Sequence, residues 1–409
     1  QEKIKILTQQ DMKQVLFSIA VFCALFFNSN LSTLLGFQNN VTTVAFLPIT
    51  LFLFSQIVKK QIFFFRKRNI HIMYILSISI IILLFKLLDG QNDMFKSILM
   101  FSLIPYIFAV YLENASEKEK STLQKMLLAL LITECLLALY ERLNLTVLLA
   151  TEETYSAMNR AGDSWSFRSS ALFGHPLGNA MLVSVINIFI LSSDLSANKK
   201  ITYFLINLLA LLCFNERGNI AITVVTSIPL LIQLFKKGSK QLKRTILLIG
   251  IPLFIGGIIQ IAQSDFGGRL FNEQSGKHDN STMARLEAFR AFDYLNNSEL
   301  LIGGNHLNDK VAAKMHLAAV ENGIISILLD YGIVLGIPLL WYLFLFQKEK
   351  LSVFPWWNKW LILLLFYGIG FTNPHLSNPM QWFIFICSYY AFRPKTKNRL
   401  YERKHVFRM

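Results

Sequence analysis

Twelve apolar runs follow one another along this chain, and that succession leaves few folds open to it. Eight of them, at about 15–35, 41–58, 70–88, 96–112, 124–141, 169–191, 245–262 and 323–346, have roughly the 17–25 residues that carry a helix across a bilayer. Shorter runs lie at 201–214, 219–235, 357–372 and 379–392. The expected fold is all-α: a polytopic integral membrane protein of about twelve transmembrane helices, forming a single membrane domain over 1–409. The first run leads directly into further spans, so it does not read as a cleaved signal peptide.

Composition supports this reading. Charged residues are 16% of the chain, where a soluble domain would carry about a quarter. Cys23, Cys135, Cys213 and Cys387 lie far apart inside apolar runs, a pattern of neither a disulfide framework nor a thiolate metal site. The net charge of +15 raises the question of nucleic acid, but its distribution answers it. Basic clusters fall at Lys59–Arg68, Lys118–Lys125, Lys199–Lys200, Lys236–Arg244, Lys348–Lys350 and Arg393–Arg408. With twelve spans and a cytosolic N-terminus, each lands on the cytosolic side, as the positive-inside rule requires. The C-terminus is then cytosolic too, and the excess charge is a topology signal, with no nucleic-acid partner expected.

The same rule resolves an oddity in Ile201–Phe235, whose only charges are Glu216 and Arg217. One span there would put Lys199–Lys200 and Lys236–Arg244 on opposite sides of the membrane. Two spans turning at Glu216-Arg217-Gly218-Asn219 keep both clusters inside. Legs this short would leave the turn below the outer surface, where an arginine is costly unless it is paired or faces water. Either Glu216 neutralises Arg217 as a structural pair, or Arg217 points into a polar cavity that receives an anion.

Three other segments fall on the outer face: about 142–168, 263–322 and Thr372–Pro379. Five of the seven histidines (His175, His278, His306, His316 and His375) lie there, without the spacing of a zinc site. In the longest loop a helix is expected over Ser281–Asn296. At the α-helical period Arg285 shares the apolar stripe with Phe289 and Phe292, while Tyr294 falls opposite. Arg290 lies away from the centre of that stripe and suits a solvated face. Arg285 instead points toward the membrane domain, and arginine's planar fork suits phosphate. Glu321 stands at the outer mouth of the tenth span, where a carboxylate beside an apolar wall suits a general base, or simply a helix-start acid. Asp330, deeper in that span, reads as a packing-pair partner or polar lining rather than a catalyst.

Taken in order, these motifs resemble the O-antigen ligase and polymerase superfamily, of the Wzy and WaaL type, over about Arg168–Pro379. Phe173-Gly174-His175-Pro176-Leu177-Gly178-Asn179 is similar to its FGHPN-like stretch, and Glu216-Arg217-Gly218 to its SRG turn. Arg285 with the later Ile302-Gly303-Gly304-Asn305 resembles the family's loop arginine and downstream glycine turn. The stretch from Glu321-Asn322-Gly323 through Asp330-Tyr331-Gly332 to Gly336 resembles its HN-x-x-L-x-x-L-x-x-x-G-x-x-G pattern. At the register of the ligases' catalytic histidine this chain carries Glu321, and His316 lies five residues earlier. That departure favours the polymerase branch.

The resemblance implies a GT-C-like, metal-independent glycosyltransferase of the cytoplasmic membrane, without cofactor, acting on the outer face. It would join polyprenyl-diphosphate-linked oligosaccharide repeat units into a capsule, exopolysaccharide or O-antigen. Glu321, or His316, would be the base. Arg217 and Arg285, with Arg168 and His175, would hold the diphosphate. Membrane lipids, and flippase and chain-length-regulating proteins, would be its partners. The alternatives are a glycan ligase, and a lipid-linked oligosaccharide transporter, which should show internal repeats and midplane charges. The topology is directly testable: in intact cells an impermeant thiol reagent should label Lys277→Cys and spare Lys240→Cys, and labelling at position 240 would overturn the twelve-span arrangement.

Overall fold

The computed structural model describes residues 2–27, 31, 35, 41–62, 69–88, 98–149, 167–237, 243–244, 285, 287–304, 306–317 and 320–394. The expected span at 245–262, most of the long loop before Arg285, and His278 lie outside the described residues. Among the described residues no strand occurs, and five helices are long and apolar enough to cross a membrane. The protein is all-helical and carries membrane-spanning segments. In chain order the α-helices are α1 (Glu2–Phe26), α2 (Val41–Val58), α3 (Ile70–Leu88), α4 (Ile104–Glu113), α5 (Glu117–Asn144), α6 (Pro176–Ser192), α7 (Ala197–Phe214), α8 (Arg217–Lys237), α9 (Asn297–Ile302), α10 (Leu307–Lys314), α11 (Gly323–Lys350), α12 (Trp356–Thr372) and α13 (Pro379–Phe392). A π-helical turn, Leu99–Leu103, leads into α4, and 3₁₀ turns occupy Ala288–Tyr294 and Pro374–Ser377.

Where the sequence reads as one membrane domain, the chain divides into two compact units interleaved along it. The first comprises Gln1–Leu130, Asp279–Lys350 and Gly370–Ala391, and the second Leu131–His278, Leu351–Ile369 and Phe392–Met409.

In the first unit an aromatic cluster joins α1, α2, α4 and α13. Phe17 meets Phe52 edge-on at 5.8 Å, Phe52 meets Tyr111 at 5.1 Å, and Phe383 packs on both Phe46 and Phe108. The Phe108–Phe383 rings are stacked, and the other three contacts are edge-to-face, which adds to plain burial because positive ring edges meet negative faces. Helices α3 and α11 run antiparallel. His71 Nε2 lies 3.3 Å from Glu349 at one end, and the Tyr74 and Tyr342 rings stack at 4.6 Å. The sides of α3 that face away carry Ile80, Ile81, Leu84 and Phe85 exposed, as a lipid-facing surface would.

Helix α11 is broken. Gly332 has φ 71° and ψ 167°, a conformation open mainly to glycine. The break takes the regular partner from the Leu329 carbonyl, and the backbone N–H of Gly304 supplies another at 3.1 Å. Gly303, also at positive φ, lies against the break so closely that a Cβ on it would stand 2.3 Å from the Gly332 nitrogen. A Cβ on Gly332 would stand 2.2 Å from the Leu301 carbonyl oxygen.

In the second unit α6 is buried along its whole length and packs against α7 and α8. The turn expected between two spans is present: α7 ends at Phe214, Asn215 takes the left-handed conformation at φ 52°, and α8 begins at Arg217. The helices have 18 and 21 residues, roughly 27 and 32 Å, longer than the apolar runs because they take in Lys199–Lys200 and Lys236–Lys237. What buries Asn215 and Glu216 is the packed segment Phe167–Ser170.

The glycine contacts set the order of three substitutions. Gly332→Ala and Gly303→Ala each combine a backbone clash with a left-handed φ and should cost about 3 kcal/mol or more. Gly336→Ala meets only the movable Leu328 side chain at 3.0 Å and should cost about 1 kcal/mol. Unfolding of the three purified variants against wild type, in one detergent, checks the order.

Candidate functional site

The described part of the long loop folds as a small core on the first turns of α11. Ala288, Ala291, Leu307, Val311, Ala312 and Val320 pack there with Ile325 and Leu329, and Tyr294 and Leu295 lie against them. The expected α-helix is 3₁₀ over Ala288–Tyr294, which changes which side chains share a face. At three residues per turn, positions i and i+3 eclipse. The buried face is therefore Ala288 and Ala291 with Tyr294, and Phe289, expected on the apolar stripe, is 59% exposed. Arg285 lies just before this turn, in α-helical backbone, with 23% of its side chain exposed. Arg290 lies at the surface, 3.9 Å from Asp293, as expected of a solvated face.

Glu321 enters from the other side. Helix α11 starts at Gly323, capped by Asn322, whose Oδ1 accepts from the backbone N–H groups of Ile324 and Ile325, both at 3.1 Å. Glu321 thus stands one residue before the cap, outside the helix. Gly323 is pressed against the Thr372–Ser377 segment, where a Cβ would lie 2.9 Å from the Asn373 carbonyl oxygen. So fixed, Glu321 Oε2 lies 3.4 Å from Arg285 Nε, with the two side chains 27% and 23% exposed. The structure joins two residues read separately as an anion contact and a base.

His316 is elsewhere. The helix of Glu321 does not extend back to it, and His316 closes α10 in the left-handed conformation at φ 56°. Its N–H donates to Ala313 O at 3.2 Å and the Leu317 N–H to Ala312 O at 2.9 Å, the hydrogen-bond pair of a Schellman C-cap. Its exposed ring sits where glycine is usual. Nearby, the Lys310 ammonium bonds Glu299 and holds its carboxyl below the usual carboxylate range, clamping α10 to the capping box Asn296–Glu299 of α9.

Around Asp330 lies a second polar group, of which Lys86 and Asn308 escaped the sequence reading. Lys86, in α3, is 2% exposed and donates to the Ile302 carbonyl at 3.3 Å. Asn308 Nδ2 donates to Asp330 Oδ1 at 2.8 Å, and Lys86 acts electrostatically on the same carboxylate. The available signal was a lysine close to the end of an apolar span.

In the second unit, Arg168 Nη2 meets Glu216 Oε2 at 2.8 Å, and its Nε donates to Phe214 O at 3.4 Å. Arg168 therefore braces the α7–α8 turn, and Glu216 has a partner 48 residues away in sequence. The segment before α6 is held by Glu141, whose carboxylate accepts from the N–H groups of Leu148, Ser170 and Ala171 at 3.0, 2.8 and 2.9 Å. His175 caps α6: its Nδ1 accepts from Leu177 N–H at 3.2 Å, which leaves the ring proton on Nε2. Arg217 opens α8, half-buried, at the end where the helix dipole attracts anions. Among the described residues no three His, Cys, Asp or Glu side chains gather as a metal site.

No protein-family model and no curated protein matches the chain.

The C-cap geometry gives His316 a specific test. Glycine takes the left-handed conformation freely, so His316→Gly should stabilise the protein by about 0.5–1 kcal/mol, while β-branched His316→Val should destabilise it by more than that. Paired thermal melts measure both.

Proposed function

We propose that the protein is a membrane glycan polymerase that joins polyprenyl-diphosphate-linked oligosaccharide units on the outer face of the cytoplasmic membrane, with a GT-C-like, twelve-span topology. The observation that carries this is the Arg285–Glu321 pair: a cation and a carboxylate 3.4 Å apart, each about a quarter exposed, at the mouth of a long apolar helix. Transfer of a glycan from a lipid diphosphate needs both kinds of group. The leaving diphosphate gathers negative charge as its bond to the anomeric carbon breaks, and a guanidinium fork stabilises that charge. The attacking sugar hydroxyl must lose its proton as the new glycosidic bond forms, and Glu321 accepts it.

On the second unit, Arg217 is proposed as a further anion contact, reinforced by the start of α8. Arg168 and His175 take supporting parts in this scheme. Arg168 braces the turn that presents Arg217 through its bond to Glu216, and His175 fixes the start of α6. Fixed arginines here fill the charge-neutralising role that a metal fills elsewhere. Glu321 at the register of the ligase histidine, with His316 in a C-cap, is the specific support for polymerisation over transfer to another acceptor.

The test is reconstitution. Purified protein given a lipid-linked repeat unit should yield a ladder of lengthened products. A positioned base contributes typically about 10²–10⁴-fold, so Glu321→Gln should lose at least two orders of magnitude in rate without weakened substrate binding. Arg285→Lys and Arg217→Lys, which keep the charge but lose the fork, should each slow turnover. A wild-type rate in Glu321→Gln removes the base, and a wild-type rate in both lysine variants removes the anion contacts.

A further inference from the structure

The Arg285–Glu321 contact has a shape that a purely structural pair would not need. At 3.4 Å it is longer than a charge-assisted hydrogen bond, which closes to about 2.7–2.9 Å. Each side chain keeps about a quarter of its surface exposed, although Arg285 Nε at the contact is itself buried. Arg285 lies just before the packed turn that buries Ala288 and Ala291, and Glu321 is held by the Asn322 cap and the packed Gly323. Their backbones are fixed while part of each side chain stays exposed. The Glu321 carboxylate also lies just outside the N-terminus of α11, where the helix dipole favours an anion. It thus occupies the place where a phosphoryl group would be held by Arg285 and the helix end together.

We infer that Glu321 is an internal stand-in for the diphosphate: a lipid-diphosphate group displaces it from Arg285, and the displaced carboxylate becomes free to act as base. This deepens the polymerase reading and rests on it. The scheme ties the base to the donor. With no diphosphate present, Arg285 holds Glu321 and the carboxylate is engaged. Once the diphosphate takes the guanidinium, Glu321 turns to the acceptor hydroxyl. The hydroxyl proton moves to Glu321, the hydroxyl oxygen bonds the anomeric carbon, and the diphosphate departs with the electron pair of the broken C–O bond, its charge met by Arg285. Idle hydrolysis of the donor is suppressed because the base is engaged until the donor is seated.

Competition between an internal carboxylate and an external diphosphate has a signature that neither a simple base nor a simple salt bridge shares. Removing the carboxylate's charge should tighten diphosphate binding even as it stops turnover. The probes are inorganic pyrophosphate and farnesyl diphosphate, titrated calorimetrically against the full-length protein in nanodiscs of neutral lipid. Glu321→Gln should bind both about three- to tenfold more tightly than wild type, the gain expected when one partly exposed ion pair no longer has to be broken. The double variant Arg285→Gln/Glu321→Gln should lose that gain. Glu321→Asp, with the charge kept and the reach shortened, should fall between, and it carries the test should Glu321→Gln fold poorly. Nanodiscs containing phosphatidylglycerol should not reproduce the competition, which separates a diphosphate from a general anionic headgroup.

Equal or weaker binding by Glu321→Gln overturns the inference and leaves the polymerase reading to the product ladder. Tighter binding without any ladder from wild type keeps the anion exchange and overturns polymerisation. A gain that persists without Arg285 overturns the exchange, because the displaced carboxylate was then acting on some other cation.

Discussion

A buried backbone group that loses its helical partner must find another within the protein, and the first unit is arranged around that constraint. Helix α11 breaks at Gly332, and the orphaned carbonyl of Leu329 is met by the Gly304 N–H from a different segment. Supplying that bond requires two backbones to approach within the radius of a side chain, which is why Gly303 and Gly332 face each other without Cβ atoms. The rest of the loop follows from this contact. Once Gly303 and Gly304 are fixed on α11, α9 and α10 are brought over its first turns, and the small core of Ala288, Ala291, Val311 and Val320 can close. That core aims Arg285 at Glu321. The buried Lys86, bonded to Ile302 O, holds the same strip of chain from the other side.

The second unit solves a related problem with side chains. The irregular segment Phe167–Ala171 is buried, so its N–H and carbonyl groups need partners. Glu141 accepts two of the N–H groups, Arg142 donates to Phe167 O at 2.7 Å, and Ser169 N–H reaches Cys213 O. A charged acceptor suits this task because bonds to ionised groups are roughly twice as strong as neutral ones. Along α6 and α8, Asn219 reaches Leu177 O and Thr223 pairs with Ser184, polar contacts of the kind that register helices where apolar packing alone distinguishes little.

Helix positions were legible because a bilayer imposes its own length on apolar runs. The described helices fall on eleven of the expected stretches, and the turn before Arg217 was placed to within a residue or two. Helix type was less legible. The Ser281–Asn296 stretch fits an α-helical stripe, yet tertiary packing of two alanines selects the 3₁₀ form and exposes Phe289. Long-range pairing was not legible at all. Arg168 and Glu216, or Arg285 and Glu321, lie too far apart in sequence for periodicity to connect them. Lys350 illustrates the same limit: it reads as part of a cytosolic basic cluster, but its ammonium is buried against Glu113. Arg285 and Glu321 were found one at a time from their chemistry, and only the fold shows that they meet.

Two ion pairs in one unit show how geometry separates a support from a working contact. Lys350 and Glu113 meet at 2.6 Å with 5% and 6% of their side chains exposed, and Tyr390 donates to the same carboxylate at 2.7 Å. Both charges have left water. Deleting one would strand the other at a cost of about 3–5 kcal/mol. Arg285 and Glu321 are 3.4 Å apart with about a quarter of each side chain in reach of solvent. Water can compensate either charge as the pair opens, so opening costs about 1 kcal/mol or less. A ligand with two negative charges can meet that cost from a single bidentate contact with the guanidinium. A cation–carboxylate pair therefore locks α4 to α11 at one place and leaves a partly exposed contact at the other, and the difference lies in what surrounds them.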